Sequence, residues 1–211
     1  MRPTIVVGID NTAARWREYA PAAALAALSP ELPVAASAHD PGDNQSEQYR
    51  RFLIEELKPF VDAYYRTRPG REGTYLMGSS MGGLIWLYAL TRYPETYGGA
   101  GCLSTHWPLT TNRELLDRGP GPQLAAIGGA YLDWLARHLP HAGTHRICFD
   151  HGTVGLDALY APFQARMDGL MAAAGYQRGG DWESLTFEGA AHDEAAWRAR
   201  LDTPLRFLLR R

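Results

Sequence analysis

The residues of this chain best suited to chemistry are Gly78-Ser79-Ser80-Met81-Gly82. Spaced as G-x-S-x-G, they set a serine between two glycines, which a nucleophilic hydroxyl needs when it stands on a strained turn from a strand into a helix. On such a turn Ser80 Oγ projects past the carboxyl end of a sheet, and the backbone N–H of Met81 points to where an oxyanion would form. The flanks agree with this reading. Thr74–Met77 reads as a short strand, and Gly82–Tyr93 as a helix that Pro94 ends. The alternative is an ordinary Gly/Ser-rich turn between a strand and a helix.

A serine hydroxyl is a weak nucleophile at neutral pH, so it requires a histidine base and a carboxylate, in the chain order Ser, Asp or Glu, His. Six histidines follow Ser80, and only His192 lies in a loop beyond the last expected strand, behind Gly189, Ala190 and Ala191. His192 is the expected base; its alternative is a solvent-exposed loop histidine. His106, His138, His141, His145 and His151 read as surface or supporting residues, with His106 and His151 nearest the edge of a site. Two acids compete for the third role. Asp150 ends the penultimate strand and would order that end, whereas Asp157 lies in the loop beyond Gly152-Thr153-Val154-Gly155 and could reach back to the imidazole. Asp157 is preferred, although an aspartate ahead of Ala158-Leu159-Tyr160 is also a good helix N-cap.

The elements that must position these groups alternate. Strands are expected at Thr4–Asp10, Thr74–Met77, Gly99–Ser104, His145–Asp150 and Ser184–Glu188, with a brief one at Pro33–Ala38 and turn chemistry from His39 to Ser46. Between them Tyr49, Phe52, Leu53, Leu57, Phe60, Val61 and Tyr64 form one apolar helical stripe, and helical patterns recur at Gln123–Leu139 and Ala158–Ala174. Ala14–Leu28 reads as a short helix that Pro21 breaks or starts. A last helix begins near Asp193, and Pro204 restarts it behind Asp202 or Thr203 as N-cap. Strands alternating with helices imply a parallel sheet covered on both faces.

Composition narrows the function. With 211 residues, 45% hydrophobic and 21% charged, residues 1–211 suit a single domain that needs neither disulfides nor a structural metal. Cys102 and Cys148 sit in apolar runs as small hydrophobes, and no C-x-x-C metal pattern occurs. A net charge of −2 with dispersed basic residues excludes the electrostatic footprint of a nucleic-acid binder. No run approaches the roughly 20 apolar residues of a membrane span, and Met1–Asp10 lacks signal-peptide character, so the expected location is cytoplasmic.

Three separated segments carry a family resemblance: Gly-Ser-Ser-Met-Gly-Gly-Leu behind Arg-Thr-Arg-Pro, Ile-Asp-Asn followed by Arg15 and Glu18-Tyr19, and Gly-Ala-Ala-His-Asp-Glu-Ala-Ala-Trp near the end. Together they resemble the Putative esterase family, which includes esterase D and the enterobactin esterases. The resemblance implies an α/β-hydrolase fold, with Ser80 as the motif serine, His192 as the late-loop histidine and Asp157 as the acid. It also implies that Arg15 and Trp107 face the substrate mouth. Arg15 would offer a guanidinium to a carboxylate or phosphate, or else pair with Glu18 on the surface; Trp107 is either pocket wall or packing.

Members of that family carry additional N-terminal strands and an Asp-Gly loop that supplies a second oxyanion donor, upstream of the segment matching Thr4–Asp10. This sequence is expected to lack them, which leaves three explanations: a misassigned start, a weakly active relative, or Thr4–Asp10 as the substitute strand. In the last case a backbone N–H near Asp10 or Asn11 becomes the second donor. Open sheet edges would also favour homodimerisation. The resulting expectation is a serine carboxylesterase acting on a small or medium soluble ester, without metal or organic cofactor. The competing readings are an acyltransferase, a non-catalytic binding module, and a lipase-type enzyme, for which Ala22–Leu28 is the one lid candidate.

Overall fold

The computed structural model describes residues 3–28 and 43–210. The strand expected at Pro33–Ala38 and the loop residues 39–42 lie outside them. Four strands, β1 (Tyr75–Ser79), β2 (Gly99–Leu103), β3 (Arg146–Gly152) and β4 (Trp182–Phe187), form one parallel sheet in chain order. Parallel strands covered on both faces must be apolar along their length, and β2 is accordingly buried throughout. Neighbouring parallel strands need long crossovers, and these carry α5 (Met81–Arg92), α7 (Pro122–Leu135) and α8 (Ala161–Ala173). Right-handed crossovers in a sheet that grows in one direction bring these helices to one face. There Leu84, Ile85, Leu132, Ile147 and Phe149 share the main apolar cluster with Ala100 and Cys102.

The strand alternation sends Gly101 to the other face. A Cβ there would lie 3.2 Å from Leu208 of α10 (Asp202–Leu208), which packs over β2 and β3. Ahead of it, α9 (Glu194–Arg200) starts at Asp193, whose carboxylate caps the Ala196 N–H at 2.8 Å. α10 begins at Asp202 after Leu201 rather than at a cap on Asp202 or Thr203, and Pro204 is its third residue, where a missing N–H costs no helical bond.

Near the start, Pro21 divides the expected helix into α1 (Arg15–Tyr19) and α2 (Ala22–Ala26). The striped helix is continuous over 46–64: α3 (Ser46–Phe52), a π-helical turn (Leu53–Leu57) and α4 (Lys58–Tyr64). Pro59 cannot donate to the carbonyl four residues earlier, and the wider turn accommodates that loss. Only part of the stripe is used for packing, because Leu53 is buried whereas Phe52, Phe60 and Tyr64 are exposed. The sequence reading overlooked α6 (Arg113–Asp117), which Asn112 caps by accepting the Leu115 N–H.

One expected strand does not form. Residues 3–12 carry no ladder, and Ile5, Val6 and Val7 are exposed, Val6 by 84%. β-branched composition favours a pleated surface only where a neighbouring strand supplies one, and none pairs with this segment among the described residues. No helix among the described residues is long and apolar enough to cross a membrane.

Candidate active site

Ser80 joins β1 directly to α5 at φ 56° and ψ −122°, a conformation L-residues rarely adopt. Three backbone hydrogen bonds hold it there: its N–H donates to the Leu103 carbonyl (2.8 Å), and its own carbonyl accepts from Gly83 (3.0 Å) and His106 (3.1 Å). The glycines of the motif do unequal work. A Cβ on Gly78 would sit 2.5 Å from Trp86 Nε1 and one on Gly83 2.5 Å from Thr105 Oγ1, whereas one on Gly82 would be in ordinary contact at 3.7 Å. Gly78 and Gly83, rather than Gly82, must therefore be bare. Met81 opens α5, so its N–H belongs to the first turn, where no intrahelical acceptor exists.

His192 Nε2 lies 2.9 Å from Ser80 Oγ, and Nδ1 lies 2.5 Å from Asp157 Oδ1. The Tyr160 and Trp197 rings meet the imidazole edge-on, at centroid distances of 5.6 and 5.0 Å. Asp157 leaves the short 3-10 turn Gly155–Leu159 fully buried. Its other oxygen, Oδ2, accepts the Ser104 hydroxyl and the Gly152 N–H, both at 2.6 Å. Burial raises its pKa, but the hydrogen bonds from His192, Ser104 and Gly152 outweigh it and hold the carboxyl below its ordinary range. The acid and histidine loops are tied together: the Ala190 carbonyl accepts from Thr153 and Val154 N–H, at 3.0 and 3.1 Å, and Thr153 Oγ1 donates to Glu188.

Asp150, the competing acid, is committed elsewhere. Arg200 donates to its Oδ1 from Nε (3.2 Å) and Nη2 (3.0 Å), and the Ser104 N–H approaches it at 3.2 Å. Burial dominates there and raises the Asp150 pKa in spite of Arg200. His106 is buried, with Nε2 at 2.8 Å from the Thr110 carbonyl and Nδ1 at 2.8 Å from Tyr160 Oη. A carbonyl only accepts, so the neutral ring carries its proton on Nε2 and takes one from Tyr160. His151 is buried beside Gly152 and Thr186, and His145 is buried against the Pro94 carbonyl rather than lying on the surface.

The expected substrate contacts fare differently. Trp107 is 1% exposed and packs on Phe149 and Tyr131, so it belongs to the core and not to the mouth. Arg15 is exposed on α1, and Glu18 instead accepts from Thr12. Asn11 is exposed in the segment that the sheet excludes. The sequence reading missed Ser104, Tyr160, Trp197 and Arg200. The register of α9 held a signal for two of them, since Trp197 and Arg200, three residues apart, share one helical face.

A parallel sheet whose strand-to-helix elbow presents a serine to a histidine from beyond the last strand defines an α/β-hydrolase. The family profile described as Putative esterase matches residues 26–208, and the chain belongs to that family. Among solved structures it is similar to an enterobactin esterase from Shigella flexneri, with 21% identity and TM-score 0.57, covering 77% of this chain and 38% of that one. A ferulic acid esterase shares 18% identity (TM-score 0.55, 77% and 60% coverage). The S-formylglutathione hydrolase of Staphylococcus aureus shares 14% (TM-score 0.53, 78% and 63% coverage). The chain thus spans well under half the length of the enterobactin esterase. No curated protein matches it.

Two consequences can be measured. A Cβ on Gly152 would lie 2.0 Å from the Ala190 carbonyl and 3.0 Å from Asp157 Oδ2, so Gly152→Ala separates the acid and histidine loops. For a Ser80–His192–Asp157 relay, misalignment on this scale is expected to lower kcat on the order of 100-fold, read by steady-state hydrolysis of an ester. Burial lowers the His106 pKa from 6.5 to about 4. Between those values the unfolded chain binds the proton and the folded one does not, so stability falls as pH drops through that window. Thermal denaturation from pH 7 to 4 is expected to show this decline, with a shallower slope in His106→Gln.

Proposed function

We propose that the chain is a carboxylic ester hydrolase that works through Ser80, His192 and Asp157. The observation that carries this reading is the unbroken path from Ser80 Oγ through both imidazole nitrogens to a buried carboxylate, at 2.9 and 2.5 Å. His192 Nε2 takes the hydroxyl proton as Ser80 Oγ attacks the ester carbonyl carbon. The developing oxyanion faces the Met81 N–H. Asn11, the sequence-based candidate for a second donor, lies outside the sheet, so Met81 is the donor that the fold itself holds in place. Collapse expels the alcohol, which takes the proton from His192 and leaves an acyl group on Ser80. Water then gives a proton to His192 and attacks that acyl carbon; collapse breaks the bond to Ser80 Oγ, which takes the proton back from His192 as the acid departs. Asp157 fixes the imidazole by accepting the Nδ1 proton and stabilises the imidazolium between steps. Every step uses groups of this chain and water.

The substrate class we favour is a small or medium ester in solution, supported by family membership and by the enterobactin, ferulic acid and S-formylglutathione esterases and hydrolases of similar fold. A fluorophosphonate probe is expected to label Ser80, located by peptide mass spectrometry, and to fail on His192→Ala. Ser80→Ala is expected to lower turnover of p-nitrophenyl acetate by about 10⁴–10⁶ with an unchanged circular dichroism spectrum. Native turnover in that variant would overturn the assignment, and a folded protein that takes no label would instead be a binding module.

A further inference from the structure

We propose that Ser104, held by Trp197 and Arg200, is the residue that positions Asp157; the role rests on the triad reading above. Ser104 stands just beyond β2, fully buried, at φ 42°. A non-glycine residue at positive φ is held there by its surroundings, here by its N–H bonded to the Asp150 carbonyl at 2.8 Å. Its hydroxyl has one proton to give and two lone pairs to fill. Trp197 Nε1 donates to it at 3.0 Å and Arg200 Nη2 at 2.7 Å. Neither donor can accept a proton back, so both lone pairs are taken and the O–H is directed to Asp157 Oδ2 at 2.6 Å.

The consequence falls on the carboxylate. Oδ2 already receives the Gly152 N–H, and with Ser104 it is saturated on the side away from the imidazole. Oδ1 is left for His192 Nδ1 alone. The clamp is itself fixed: Arg200 is locked by Asp150, and its Nη2 lies 3.8 Å from Asp157 Oδ2, adding positive charge beside the buried acid. Trp197 serves twice, since its ring also packs perpendicular to the His192 imidazole, with centroids 5.0 Å apart. Helix α9, which follows the histidine by a single capping residue, thus carries both the clamp and one wall of the base.

The test uses Ser104→Ala, and Trp197→Phe as a gentler variant that keeps a ring against His192 and empties one lone pair. Ser104→Ala is expected to lower kcat for p-nitrophenyl acetate on the order of 10–100-fold with KM within about twofold, and Trp197→Phe to fall between it and the native protein. In an Asp157→Ala background the fluorophosphonate labelling rate should not drop further when Ser104→Ala is added, because its effect runs through that carboxylate. Independently of turnover, the low-field proton resonance of His192 Nδ1–H should shift and broaden in Ser104→Ala and persist in Ser80→Ala. A folded Ser104→Ala with native kcat and an unmoved resonance overturns the proposal, as does a full additional loss in the Asp157→Ala background. An inactive native protein would count against the esterase reading alone, since the resonance still decides the role of Ser104.

Discussion

A carboxylate sealed from solvent must stay charged and offer one oxygen to one histidine, and the architecture around Asp157 follows from that demand. Desolvating an ion of this size costs several kcal/mol, about what good hydrogen bonds and a nearby opposite charge can offset. Here the offset comes from different parts of the chain: the Gly152 amide at the end of β3, the Ser104 hydroxyl beyond β2, the His192 ring beyond β4, and the Arg200 guanidinium on α9. Asp150 shares that guanidinium, yet its pKa moves up while that of Asp157 moves down. At Asp150 burial outweighs the Arg200 and Ser104 donors, all on one oxygen, and the neighbouring Asp157 charge adds to it, whereas at Asp157 the bonds from His192, Ser104 and Gly152, spread over both oxygens, outweigh burial.

The parallel sheet makes this convergence possible. When all four strands run the same way, their carboxyl ends share one edge, and the segments that leave them meet there. Ser80 follows β1, Ser104 follows β2, Asp157 follows β3 and His192 follows β4. The two serines are also the strained ones, at φ 56° and 42°. Backbone strain of this kind costs on the order of 1–3 kcal/mol per residue and persists where surrounding bonds over-determine it. At Ser80 those bonds come from Leu103, Gly83 and His106, so its conformation depends on the same segment, 103–106, that contains Ser104.

Helix α9 then joins Asp157, His192 and Ser104 mechanically. The capped start at Asp193 follows His192 immediately, and one face of the helix delivers Trp197 and Arg200 to Ser104. The Ala190 carbonyl, accepting from two amides of the acid loop, fixes the other end of the histidine loop. A displacement of α9 would move the imidazole and loosen the carboxylate together. Such coupling keeps the alignment of three side chains from depending on three independent loops.

Much of this was legible in local sequence. Gly78-Ser79-Ser80-Met81-Gly82 between a strand and a helix, the four strands that pair, and a histidine behind Gly189-Ala190-Ala191 are short-range patterns, because φ and ψ preferences and apolar periodicity act over a few residues. Thr4–Asp10 had the same local character and still formed no strand, since a ladder needs a neighbour that composition cannot supply. Trp107 read equally as pocket wall or core, and only its packing on Phe149 and Tyr131 decided. Ser104, Arg200 and the fate of Asp150 were invisible for the same reason: their contacts join residues 46 to 96 positions apart. Sequence by itself determined which residues could carry chemistry and which turn would present Ser80. Only the register of parallel strands and the docking of α9 decided which buried oxygen meets which donor, because those distances are set by packing across the sheet and not along the chain.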